Sequence, residues 1–118
     1  MSYETAAQLQ TIEISIDEAR KAVTAKDALA RLVKNRDFRA LFVTGFFEQE
    51  AVRTVSLKSH PAFQDEASQT ELDRTIYAIG SVQQYMNKVR AMGEQSERAL
   101  VEMEVTRDEL RVEDLNDE

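Results

Sequence analysis

The sequence predicts an all-α fold: a helical hairpin or three-helix bundle with a long C-terminal helix, oligomeric or docked on a larger assembly. Three observations predict it. The 118 residues include three glycines and one proline, with 31% charged residues, a composition of helices rather than of turns and strands. Apolar residues recur at spacings of three and four over most of the chain. The one strand-like alternation, Ile12-Glu13-Ile14-Ser15-Ile16, has no second β-branched run to pair with. The same stretch fits a helix through Ile12, Ile16, Ala19 and Val23. A single helical domain over residues 1–112 followed by an acidic tail, 113–118, is the expectation at this length.

The first helix is expected from about Thr5 to Asn35. Near Thr24–Asp27 the apolar stripe passes to Ala22, Ala25, Leu29 and Leu32, which predicts a bend or two shorter helices. Asn35-Arg36-Asp37 reads as a stop and restart. Asn35 tolerates the left-handed conformation that closes a helix, and Asp37 can accept the free amides of the next. The second helix, about Phe38 to Ser59, carries apolar residues around most of its circumference, from Phe38, Leu41 and Phe42 to Val55 and Leu57. It should therefore be the buried centre, with the Phe38, Phe42, Phe46, Phe47 and Phe63 cluster forming the core. Gly45 costs about 1 kcal/mol in a helix interior, tolerable where another backbone packs closely.

Ser59-His60-Pro61 ends that helix, because the residue before proline is pushed out of the α region. Phe63 can fold back as a plug. Ser68-x-x-Glu71 has the form of a capping box opening the third helix. Leu72, Ile76, Ile79, Val82, Val89 and Met92 continue it at helical spacing, with Ala99, Leu100 and Met103 leading towards Leu110. A helix from residue 69 to about 110 would be roughly 60 Å long. A globule of this size has a radius of gyration of roughly 13 Å. Either the helix breaks at Gly93 or its distal half, about 94–112, projects. A lone helix with so sparse an apolar stripe is marginal in water, so it calls for another copy or another protein.

The charge is unevenly placed. Residues 20–39 hold seven basic residues against two acids, whereas residues 94–118 hold ten acids against three arginines, matching the whole net charge of −7. With no cysteine there is no disulfide, thiolate metal site or thiol nucleophile. One histidine leaves no multi-histidine metal site. No apolar run approaches the roughly 18 residues that span a bilayer, and no secretory signal opens the chain, so a cytoplasmic location is expected.

Candidate chemistry is thin. His60 has Ser56, Ser59 and Asp65 nearby in sequence, but they join no recurring catalytic motif, and His60 reads as a turn residue. Glu48 and Glu50, like Glu102 and Glu104, point to different helix faces and read as solvated. No calcium loop, Glu-x-x-His pair, phosphate loop, nucleophile elbow or zinc helix is present. Enzyme is the least favoured class, and neither cofactor nor metal is expected. Candidate partner-binding residues are Phe47, Leu100, Met103, Glu104, Asp108 and Leu110. Arg31, Lys34, Arg36 and Arg39 form a basic contact surface, for acids of a neighbouring helix or subunit in preference to nucleic acid.

A resemblance adds to this reading. Leu29-Ala30-Arg31-Leu32-Val33-Lys34-Asn35-Arg36-Asp37-Phe38 is followed by Gly45-Phe46-Phe47-Glu48-Gln49-Glu50-Ala51-Val52-Arg53 and Val55-Ser56-Leu57-Lys58. Ile76-Tyr77-Ala78-Ile79-Gly80 and Gln84-Tyr85-Met86 come later. Over about residues 28–100 the chain resembles small helical proteins of tailed bacteriophages, encoded among head and virion-assembly genes. The resemblance implies a virion-associated or assembly-related helical protein and supplies no site residues. The expected function is a non-enzymatic structural or assembly protein acting through helix-helix contacts with virion proteins or itself, without a membrane. The alternative is a small acidic inhibitor that binds a host nucleic-acid-handling protein by imitating DNA. A nucleic-acid binder using Arg31–Arg39 is a third reading.

Overall fold

A computed structural model describes residues 2–116, which are all-α, with no strand among them. Helix α1 spans Tyr3–Leu32 as one piece. Ser2 opens it, its Oγ accepting the Thr5 N–H at 3.0 Å. Helix α1 is not split into two shorter helices near Thr24–Asp27. Thr24 keeps its hydroxyl inside the helix by donating to the Arg20 carbonyl at 2.9 Å.

The second helix begins two residues earlier than expected, at Arg36. Asn35 has extended backbone (φ −67°, ψ 129°), and its side-chain oxygen accepts the Phe38 N–H at 2.9 Å. It therefore opens this helix instead of closing α1 in a left-handed conformation. Asp37 lies within the first turn, where its charge favours the helix dipole without capping it. The helix itself is composite: α2 (Arg36–Phe38), a π-helical stretch (Arg39–Glu50) and α3 (Ala51–Lys58). A π-helix closes i→i+5 bonds and rarely exceeds one turn. Here Phe38 and Phe42 stack at 5.1 Å, Phe42 meets Phe46 edge-on at 6.2 Å, and Phe46 leans on Phe47 at 5.7 Å. Such ring pairs contribute about 0.5–1.5 kcal/mol each beyond burial. Gly45 serves this local geometry: a Cβ there would lie 3.0 Å from the Ala40 carbonyl oxygen, five residues back. The close neighbour is the helix's own backbone, not another helix.

His60 ends the second helix as its place before Pro61 requires (φ −70°, ψ 132°), and Pro61–Phe63 forms one 3₁₀ turn. Helix α4, Glu66–Asn116, then runs 51 residues without a break at Gly93. Its cap is Asp65, whose Oδ2 accepts the Ser68 N–H at 2.9 Å. The capping box read at Ser68-x-x-Glu71 is therefore displaced by three residues, and Glu71 faces Arg74 at 3.7 Å. Asp65 is the cap because the helix starts at Glu66: the first free amides lie beside Asp65, whereas Ser68 is already inside the first turn. Of the acidic tail expected over 113–118, residues 113–116 belong to α4, and 117–118 lie outside the described residues.

The chain divides into two compact units. One comprises residues 1–28 and 89–118, the other residues 29–88. In the first, α1 and the distal part of α4 pack antiparallel. Lys26 pairs with Glu97, Arg20 with Glu104 (3.2 Å) and Glu13 with Arg111 (3.0 Å), so positions rise along one helix as they fall along the other. Residues 94–112 thus neither project nor follow a break: they lie on α1. Along α1 a shielded row runs through Thr5, Leu9, Ile12, Ile16, Ala19, Val23 and Lys26, flanked by half-buried Ala6, Ser15 and Ala22; along α4 one runs through Gly93, Ser96, Leu100, Met103, Arg107, Leu110 and Asp114, flanked by Ala99 and Glu104. Both rows alternate steps of three and four, the repeat of a two-stranded coiled coil. With Lys26 against Gly93, Ala19 falls level with Leu100, Ile16 with Met103 and Leu9 with Leu110.

In the second unit the buried side chains are Thr54 and Ile79, at 1% and 3% exposure. Thr54 donates to the Glu50 carbonyl at 2.7 Å, which lets a hydroxyl sit inside. Leu57, Phe63, Leu72 and Ile76 are half-buried around them. Phe63 meets His60 edge-on at 5.5 Å, a partial cover for this end of the unit. The phenylalanine cluster is not the buried centre that its density suggested. Phe42 is 43% exposed and Leu41 is 69% exposed. A helix apolar on every side can turn only one side inward, and the remaining rings stack on each other along its surface.

Candidate functional site

The chemistry-bearing residues serve mainly to hold helices together. At the end of α3 the last carbonyls lack helical partners. Two glutamines supply them. Gln64 Nε2 donates to the Lys58 and His60 carbonyls at 2.9 and 2.8 Å, and Gln69 Nε2 donates to those of Lys58 and Phe63 at 3.0 and 2.7 Å. His60 Nδ1 accepts the Ala62 N–H at 3.0 Å, so its ring is committed to the turn. The Ser59 hydroxyl is not offered to it as a nucleophile's would be: it donates to the Ser56 carbonyl at 3.1 Å. Sequence reading missed the glutamines because a clamp of this kind has no fixed spacing.

The candidate partner residues divide by environment. Leu100, Met103 and Leu110 are half-buried in the seam against α1, and Glu104 is tied to Arg20. Phe47 is half-buried beside Phe46, while Asp108 is exposed and meets only the neighbouring Arg107 at 3.1 Å. A different set faces outward. Val101, Val105, Val112 and Leu115 are 67%, 52%, 57% and 68% exposed. With Asp108 they step 4, 3, 4, 3 along α4, a second heptad stripe beside the one that faces α1. The signal was present in the sequence. It could not be separated from the inner stripe without knowing which face α1 covers.

The basic segment also divides. Arg20 pairs with Glu104, Lys21 with Asp17 and Glu18 (3.2 and 3.3 Å), and Lys26 with Glu97. The Glu97 carboxylate raises the Lys26 ammonium above the ordinary lysine value, against a smaller opposing effect of desolvation. Arg31, Lys34, Arg36 and Arg39 are exposed and form no ion pair among the described residues. Elsewhere Arg53 holds the Glu50 carboxyl below its usual range through a two-pronged contact.

Two shallow surface depressions lie in the first unit. One, of about 510 Å³, is lined by side chains of α1 and α4, among them Ala7, Gln8, Thr11, Ser15, Thr106 and Leu110. The other, of about 420 Å³, lies on α4 alone among Val105, Asp108, Glu109 and Val112. Neither converges a nucleophile, an orienting acid and a proton carrier. Among the described residues no group of three metal-ligating side chains comes together, and no helix is long and apolar enough to cross a membrane. The arrangement can bind through apolar stripes and charge. Compared with protein-family models, curated proteins and solved structures, the chain matches none of them.

Proposed function

We propose that this chain is a non-enzymatic structural or assembly protein of a tailed phage, acting through helix-helix contacts with virion proteins or with further copies of itself. The observation that carries the reading is the balance of apolar surface. Among the described residues only Ile16, Ala19 and Ile79 are buried apolar side chains, whereas fifteen large ones, from Tyr3 to Leu115, are exposed. Single exposed apolar residues need no explanation, but regularly spaced rows of them on helix faces are the usual form of a packing surface. The paired acids and bases described above work as helix fasteners, which also supports a binding role over a catalytic one. The phage assignment rests on the resemblance of residues 28–100.

The DNA-mimic alternative is less supported. It asks for free carboxylates on a rigid surface, and two of the distal acids, Glu97 and Glu104, are occupied by Lys26 and Arg20. The experiment is quantitative protein analysis of purified particles together with a time course of expression. A fixed copy number per particle is the expected result. Absence from particles, combined with early expression alone, would refute the structural reading.

A further inference from the structure

Building on that assembly reading, we propose that copies of this chain associate head to tail: the acidic, apolar outer face of α4 over residues 101–115 of one copy seats on the basic surface at the α1–α2 turn of a second copy. Two complementary surfaces carry the inference. On the first, Val101, Val105, Val112 and Leu115 stand exposed at heptad spacing on a helix whose other side is already held by α1. The depression among Val105, Asp108, Glu109 and Val112 gives that stripe relief. Its rim is acidic, since Glu102, Asp108, Glu109 and Glu113 are all exposed.

On the second surface, Arg31, Lys34, Arg36 and Arg39 are exposed and unpaired among the described residues, although Arg20, Lys21 and Lys26 upstream all have carboxylate partners. In the same segment Leu32 and Leu41 are 46% and 69% exposed. Unpaired cations in a segment that also exposes apolar side chains are the complement of an apolar stripe with an acidic rim. A nucleic acid would satisfy the four cations and leave both apolar surfaces in water. An α4–α4 contact between copies would bring two acidic rims together, and like charges at close range oppose association. A second copy in the head-to-tail arrangement satisfies charge and apolar surface at once. Because the two surfaces differ, the contact is heterologous and each copy keeps one free surface for the next, which generates rings or open chains.

The test uses the full chain and two double variants, R36E/R39E and V105D/V112D, all followed by sedimentation velocity with circular dichroism as a check on folding. The wild type is expected to form species that grow with concentration at low salt and fall back to monomer towards about 1 M salt, where charges are screened within about 3 Å. Each variant alone is expected to be helical and at least about tenfold weaker in self-association. An equimolar mixture of the two should give a 1:1 dimer and nothing larger, because each copy then contributes one intact surface; that recovery also shows that both variants are folded. A strictly monomeric wild type, association indifferent to either variant, or a mixture that does not recover a dimer overturns the proposal. So does a monomeric wild type that binds duplex DNA through Arg36 and Arg39. A monomer present at fixed copy number in particles would overturn the head-to-tail contact while leaving the assembly role standing.

Discussion

Replacing Gly93 by alanine tests the helix pair at its tightest point. A methyl group there would lie 2.3 Å from Lys26 Cβ and 2.8 and 2.9 Å from its Cγ and Cδ. Carbon atoms rest at about 3.5–4.0 Å, so the two helices must part locally by more than about 1 Å. The obstructing Cβ moves with the α1 backbone and cannot swing aside as a chain end would. Overpacking of this kind costs about 1–3 kcal/mol. Alanine recovers about 1 kcal/mol of helix propensity, so a net loss of about 0–2 kcal/mol is expected. Gly80 is the control in the same helix. A methyl group at that position would meet nothing within 4 Å, and Gly80→Ala should stabilise by about 0.5–1 kcal/mol. Urea unfolding followed by far-UV circular dichroism measures both. If Gly93→Ala stabilises the chain as much as Gly80→Ala does, the close approach of α1 and α4 is refuted. Lys26→Gly, which removes the obstructing Cβ, should reduce the cost of Gly93→Ala in a double-mutant cycle.

Other perturbations read other parts of the structure. Ile16→Ala, at a side chain 2% exposed, should cost about 2–5 kcal/mol in urea unfolding, whereas Val101→Ala, at 67% exposure, should change it by less than about 0.5 kcal/mol. Gln69→Ala leaves the Phe63 carbonyl without its side-chain donor and the Lys58 carbonyl with Gln64 alone, and should cost about 1–3 kcal/mol, with faster hydrogen exchange around residues 58–64. Titration should expose two sign-definite effects. The Ser68 hydroxyl, then the Ser68 N–H, lower the Asp65 carboxyl, so its contribution is present above the unfolded aspartate value and is lost as pH falls through the lower folded one. Lys26 is raised by Glu97, so its contribution is present below the unfolded lysine value and is lost as pH rises through the higher folded one. Asp65→Asn should flatten the acid limb and Lys26→Met the alkaline limb of stability against pH; limbs unchanged by these variants would count against the two contacts.

The fold class was legible because helix formation here is written in local terms: scarce glycine and proline, steps of three and four, and a proline after His60 that must stop a helix. Boundaries were less legible where two residues compete for one role. Asn35 and Asp37 are both good caps, as are Asp65 and Ser68. Which one acts depends on where the first free amides fall, a matter of one or two residues that composition does not resolve. The π-helical stretch was not legible at all. An i→i+5 ladder uses the same residue types as an i→i+4 one, and the contacting Phe38, Phe42 and Phe46 rings are compatible with reading the segment as ordinary helix.

The sequence by itself determined that this chain is helical, that its positive charge is concentrated in residues 20–39, and that its excess negative charge lies beyond Gly93. Only the tertiary structure decided which apolar residues are used within the chain. Val101 and Leu100 are neighbours with similar hydropathy, yet Leu100 lies in the seam with α1 and Val101 stands 67% exposed. The difference of one position is about 100° around the helix, enough to exchange a protein neighbour for water. Tertiary structure also gave Gly93 its meaning. In sequence it is a weak point in a helix, whereas in the folded chain it is the place where the absence of a side chain lets α1 approach. The free cations follow the same logic: all seven basic residues look alike in sequence, and proximity to α4 and to acids within α1 separates the three that are paired from Arg31, Lys34, Arg36 and Arg39.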